Sequence, residues 1–173
     1  MNHLLPDGWH AVTPYDLANT CRMIGKEWML VCAGDNAMTA SWGGMGVLWN
    51  KPVAFVFIRP QRHTYTMTEA NDRMALAFFG EDHREELRYF GTKSGRDGDK
   101  FAATGITRGY HPVHGVLYPE QARTVLFCRK LYMDDLKKGG FLDTALLSNY
   151  PEDDFHRMYV CEVEEVWVKD IGV

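Results

Sequence analysis

Three stretches of the chain combine residue types that could hold a small ligand. The first is Asn36-Ala37-Met38-Thr39-Ala40-Ser41-Trp42-Gly43-Gly44-Met45-Gly46. Its small residues leave backbone amides uncovered, Asn36, Thr39 and Ser41 offer polar side chains, and Trp42 offers a flat wall. A heteroaromatic ring needs that combination; an ordinary glycine-rich turn with a core tryptophan has the same composition. The second is Arg59-Pro60-Gln61-Arg62-His63-Thr64-Tyr65. Two guanidinium forks and a hydroxyl within six residues suit a terminal phosphate, because arginine meets its oxygens bidentately. Surface arginines at a strand exit are the plainer alternative. The third is Gly91-Thr92-Lys93-Ser94-Gly95-Arg96-Asp97-Gly98-Asp99-Lys100-Phe101, whose Lys93, Arg96 and Lys100 are tempered by two aspartates. By composition alone it reads as a flexible polar loop.

Strands must position these segments. Trp28 to Ala33 reads as a strand entering a loop at Gly34-Asp35-Asn36, and the first stretch follows as a loop. Val53 to Ile58, after Pro52, is apolar on both faces, which implies burial on both sides or a covered barrel wall. Met74 to Phe79 gives a further strand, as do Gly115 to Tyr118, Thr124 to Tyr132 with a polar turn at Asp134-Asp135, and Arg157 to Lys169. In the last, Tyr159, Cys161 and Val163 alternate with Val160, Glu162 and Glu164, the pattern of one covered and one wet face. Helices are few. Pro14 to Ala18 is expected as a short one capped by Thr13, and Glu81 to Phe90 as an amphipathic one, with Leu87 and Phe90 on its apolar side. This order lacks the βαβα rhythm of a doubly wound sheet. It predicts a mainly antiparallel β-barrel with short helical insertions.

The whole chain sets the context. Its 173 residues suit one domain, and 19 basic against 23 acidic residues give a net charge of −4, unsuited to non-specific nucleic-acid binding. Apolar residues make up 46% and aromatics 13%, enough for a packed core. Apolar runs such as Val53 to Ile58 are too short to span a membrane, and Met1 to Asp7 lacks the pattern of a secretory leader. Cys21, Cys32, Cys128 and Cys161 form no CxxC pair and read as buried or semi-buried thiols, suiting a reducing cytoplasm.

Other constellations are weaker. His111-Pro112-Val113-His114 has H-x-x-H spacing, but proline opposes a regular helix there and no carboxylate pair completes a zinc set. Ser41 lacks a G-x-S-x-G elbow, and neither GxGxxG nor GxxxxGK[ST] occurs. The acidic run Pro151-Glu152-Asp153-Asp154 reads as a solvated turn.

Taken in order, the three stretches, with Trp49-Asn50-Lys51-Pro52 and the closing segment His156 to Val163, resemble the flavin reductase-like, FMN-binding split-barrel family, in its flavoredoxin-like branch. The resemblance implies a single domain over residues 1–173, built as an antiparallel split β-barrel of Greek-key type. It also implies FMN near the interface of a homodimer. Asn36, Thr39, Ala40, Ser41 and Trp42 would line the isoalloxazine and ribityl chain. Arg59, Arg62 and Thr64 would hold the phosphate, and Ser94, Gly95, Arg96 and Lys100 would close over it. His156 matches a position close to the flavin. No metal is implied. The implied activity is an oxidoreductase passing electrons from NADH or NADPH through FMN to free flavin or another acceptor. The alternative is an electron carrier reduced by a partner protein.

Overall fold

A computed structural model describes residues 5–169; the leader reading at Met1 to Leu4 lies outside them. Ten strands occur: β1 (Trp9–Val12), β2 (Met29–Ala33), β3 (Asn36–Ala40), β4 (Gly43–Leu48), β5 (Lys51–Ile58), β6 (Arg73–Phe78), β7 (Arg108–Tyr110), β8 (Leu117–Pro119), β9 (Thr124–Asp135) and β10 (Arg157–Lys169). Four short α-helices accompany them: α1 (Thr20–Arg22), α2 (His63–Ala70), α3 (Arg84–Thr92) and α4 (Lys100–Thr104). The main sheet runs β3-β2-β6-β9-β10-β5-β4, with β1 added on β10, while β7 and β8 pair separately. Every pairing is antiparallel.

The sequence explains how this sheet curls and where it opens. β2 and β3 are joined through Gly34 at φ +58°, and β4 and β5 through Trp49 and Asn50 at φ +53° and +56°. Two consecutive positive φ values match the turn that follows the right-handed twist of a hairpin. β3 and β4 are the two edges of the main path, yet only Ser41 and Trp42 separate them in the chain. Those two residues lie outside both ladders. The barrel therefore has a seam where its edges meet through covalent chain instead of hydrogen bonds.

Alternating side chains divide into two cores. Val31, Met38, Ala54, Val56, Ile58, Leu76, Leu126, Tyr159 and Cys161 fill the barrel. Leu30, Cys32, Ala75, Ala77, Val125 and Phe127 face outward, where Leu87 and Phe90 of α3 and Phe101 of α4 cover them. Removing such apolar surface from water stabilises the fold by ~25 cal/mol per Å². The apolar run Val53 to Ile58 is thus the barrel wall expected from its composition, except that Phe55 and Phe57 on its outer face stay half-buried.

Several expectations are corrected. Asn36 to Gly46 is two strands around a two-residue seam, because the pattern of small residues masked its pairing with β2 and β5. Arg59 to Tyr65 is a strand exit only as far as Arg62, after which α2 begins. Lys100 opens α4, where Asp99 accepts from the Phe101 and Ala102 amides. The Pro14 helix is a single 3-10 turn ending at Asp16, whose carboxylate receives both the amide and the hydroxyl of Thr13. Asp134 and Asp135 finish β9, Asp135 held by Arg157 across the ladder. Cys21 is exposed, whereas the other three cysteines are buried. His111 is a packing residue: its Nδ1 accepts from the Val113 and His114 amides, and its ring stacks between His114 and Trp167.

Candidate functional site

Two cavities open beside the seam and meet at Arg62. The first, about 190 Å³, is bounded by Thr39, Ala40, Ser41 and Trp42 on one side and by Phe57, Arg59 and His156 on the other. The second, about 200 Å³, is bounded by Asn36, Thr64, Ser94, Gly95, Arg96 and Lys100, together with His63 and Lys93. All thirteen residues singled out from the sequence therefore line one cavity or the other. Arg59 lies in the first cavity, and Asn36 in the second.

The second cavity is cationic. It contains the start of α2, whose cap residue Arg62 supplies no side-chain acceptor and whose first turn has no acidic residue. Uncapped N–H groups and the helix dipole favour negative charge there. Thr64 Oγ1 accepts from Asn36 Nδ2 at 2.9 Å, which leaves its hydroxyl proton for another acceptor. Lys100 is buried, its Nζ resting on the carbonyls of Phe90 (3.2 Å) and Lys93 (3.4 Å). Burial, then the nearby Arg62 charge, brings its pKa down to about 8. Arg62 donates to the Gly91 carbonyl at 3.0 Å, and burial lowers its pKa as well. No carboxylate lines this cavity, so its cations are held close with only carbonyls to balance them. Two further observations concern the packing of this wall. His63 Nδ1 is buried with no hydrogen-bond partner among the described residues, and a Cβ on Gly95 would meet the Asn36 side chain and come within 2.9 Å of His63 Cδ2, so the glycine lets the two segments approach.

The first cavity has a different character. Trp42 is 48% exposed and its ring lies 5.3 Å from that of His156. His156 Nδ1 is 2.8 Å from the Tyr150 hydroxyl. With the hydroxyl donating, the ring carries its proton on Nε2, which has no hydrogen-bond partner among the described residues. Burial, then Arg59, lowers the His156 pKa to about 4, with Asp154 opposing, so the imidazole is neutral at physiological pH. Arg59 is already engaged: Nη1 binds Asp154 at 2.6 Å, Nη2 binds the Asn149 carbonyl at 2.8 Å, and the guanidinium lies over the Tyr150 ring. Gln61 also donates to Asp154. The acidic run expected as a solvated turn thus places Asp154 against Arg59. Tyr150 was not singled out from the sequence, and Gln61, His63 and Asp154 stood there within longer stretches without a site role. No fixed spacing joins Tyr150 or Asp154 to the seam, and only the fold brings them there.

These features define a split-barrel protein with a cation-lined cavity beside an aromatic-walled seam. The chain belongs to the family described as Flavin reductase like domain, which matches residues 22–172. No curated protein matches the sequence. Among solved structures, the fold is similar to the FMN-binding domain of a flavin reductases-like enzyme from Shewanella baltica (17% identity, covering 93% of this chain and 77% of that one, TM-score 0.68). It is similar to flavoredoxin from Methanosarcina acetivorans (18%, 83% and 69%, TM-score 0.65). It is also similar to an NADH:FAD oxidoreductase from Streptomyces globisporus, solved with NAD and FAD fragments (14%, 83% and 81%, TM-score 0.61).

Proposed function

We propose that the chain, acting as one domain over residues 1–173, is an FMN-binding oxidoreductase that passes electrons from NADH or NADPH to free flavin or another acceptor. The observation that carries this reading is the pair of cavities joined at Arg62, one walled by aromatic rings, the other lined by cations. FMN has the same two parts, a flat ring and a terminal phosphate. Arg62, Thr64, Gly95, Arg96, Lys100 and the start of α2 would hold the phosphate. Thr39, Ala40, Ser41 and Trp42 would lie along the ring, and Asn36 between the two. Arg59, pinned by Asp154, would order the 149–156 segment over the ring cavity. When bound, FMN would supply the redox chemistry, and the protein supplies orientation and electrostatics. Family membership supports this reading, as do the FMN-binding and flavin-oxidoreductase names of similar structures.

Tyr150 and His156 are assigned a positioning role. The Tyr150 hydroxyl would keep the His156 proton on Nε2, so that a neutral imidazole donates a hydrogen bond into the cavity. The exposed Trp42 edge favours a second reading, in which a protein partner reduces the flavin and nicotinamide is not used, as in a flavoredoxin-like carrier. We also propose a homodimer. In register, Phe55, Phe57, Met158, Val160 and Tyr132 share the outer face of β5, β10 and β9. Phe57 also lines the ring cavity, so a second copy on this face would lie against the flavin.

Anaerobic titration separates the readings. Purified protein is loaded with FMN and mixed with NADH or NADPH while the flavin absorption is followed. Bleaching at catalytic rates supports the reductase. Bleaching only by dithionite or a reduced partner supports the carrier. A protein that takes up no FMN overturns both.

A further inference from the structure

A third cavity, about 490 Å³, is larger than either part of the flavin cradle and shares no residue with them. It lies where β6 leaves the barrel at Phe79-Gly80 and β9 enters at Arg123. Arg22, Lys26, Arg84 and Arg123 line it, against the two carboxylates of Glu27 and Glu81. A second hollow of about 390 Å³ continues it past Arg22, Glu27 and Arg123.

Four cations around two carboxylates would be unremarkable if every donor were paired, but here they are not. Glu27 takes Arg22 Nε at 3.1 Å and also Arg123 Nη2, and so is saturated by two guanidinium groups. Arg123 Nε is buried with no partner. The Arg123 backbone is fixed on both sides, its amide donating to the Phe78 carbonyl and its own carbonyl accepting from Lys169, both at 2.8 Å. Arg84 spends Nη1 on the Lys26 and Glu27 carbonyls (2.9 and 3.0 Å) and lies 3.3 Å over the Trp28 ring. Those contacts fix its plane without supplying a countercharge. Lys26 enters no ion pair among the described residues. The result is a rigid excess of donors around a hollow of small-molecule size, backed by the buried Phe79.

We propose that this cavity is a second ligand site, separate from the flavin cradle, for a small phosphate-bearing molecule. The tetrahedral oxygens of a phosphate group suit guanidinium forks held at fixed angles. Arg84 and Arg123 would hold the group, Lys26 would close it from solvent, and Phe79 would contact the ligand's apolar part. The inference does not depend on the reading of the cradle.

Inorganic pyrophosphate is the probe, titrated calorimetrically into FMN-loaded protein at low salt, so that the cradle is already filled. One site is expected, weakened as salt rises. Lys26→Gln, which breaks no side-chain hydrogen bond or ion pair among the described residues, is expected to weaken it ~3-fold, in the range of a partly exposed ionic contact. Arg84→Gln is expected to weaken it ~10-fold, in the range of a charge-assisted hydrogen bond. Lys100→Met without FMN should bind pyrophosphate at this site as the native chain does, which keeps the two sites apart even if the cradle takes no flavin. Absence of binding to the loaded protein, wild-type affinity in both the Lys26 and Arg84 variants, or loss of binding in Lys100→Met would overturn the proposal.

Discussion

Lys100 is the cradle residue on whose protonation the most direct test rests. Burial and Arg62 hold its pKa near 8, below the usual lysine value of 10.5. A phosphate placed against it would favour the charged form, so FMN binding would take up a proton above pH 8. FMN affinity is expected to be flat from pH 6.5 to 7.5 and to fall above pH 8, by at most ~10-fold per pH unit. Fluorescence titration would measure this, and Lys100→Met should bind weakly at every pH with the slope removed. The apo protein should behave in the opposite sense. Its unfolded state holds the lysine proton more tightly, so stability from this group rises between pH 8 and about 10.5. Burial holds the His156 pKa down at about 4, and His156 is expected to add no inflection to flavin reduction from pH 5.5 to 8. In Tyr150→Phe the ring loses its Nδ1 partner. The rate of flavin reduction by the effective donor should then drop several-fold with little change in FMN affinity. An unchanged rate would show that the pair is only packing.

Elements set the cradle through contacts that tolerate little substitution. The turn between α3 and α4 brings Gly95 against Asn36 and His63. Gly95→Ala is expected to weaken FMN binding by ~10-fold or more while costing ~1–3 kcal/mol of stability, measured by fluorescence titration and urea unfolding. Asp99 caps α4 and also pairs with Arg108, which pulls its carboxyl pKa down. Asp99→Ala should cost ~1 kcal/mol through the lost cap and disorder the backbone from which Lys100 projects. The elements easiest to read from the sequence were those with clean periodicity. Met74 to Phe79, Thr124 to Tyr132 and Glu81 to Phe90 all correspond to elements of the right type. α2 was missed because His63 to Ala70 has no apolar stripe: only Thr64 and Thr68 on it are buried, and both are polar. β3 and β4 were missed because glycine and alanine carry little strand signal, although their backbones pair fully.

At the scale of the whole molecule, the unfinished feature is the outer face of β5, β10 and β9. Phe55, Phe57 and Met158 are half-buried there, and Tyr132 is 47% exposed. If this face joins two copies, light scattering should give twice the 19.8 kDa chain mass. Tyr132→Glu, placing a charge on each side of the contact, should shift the protein to monomer and weaken FMN binding through the Phe57 side of the ring cavity. A native chain that runs as a monomer would remove the dimer.

The sequence by itself determined the fold class and named residues that line the two cavities. Apolar alternation fixes which strand faces are buried, and the order of the three polar stretches is carried by residue identity. It also placed the cationic end of the site, since Arg62, Arg96 and Lys100 are legible as charges. Only the tertiary structure decided how those residues divide between two cavities, that Asp154 claims Arg59, and that Tyr150 meets His156. Those facts depend on contacts between segments as much as 95 residues apart, and on burial, which sets whether a lysine or histidine keeps its proton. Local pattern encodes neither.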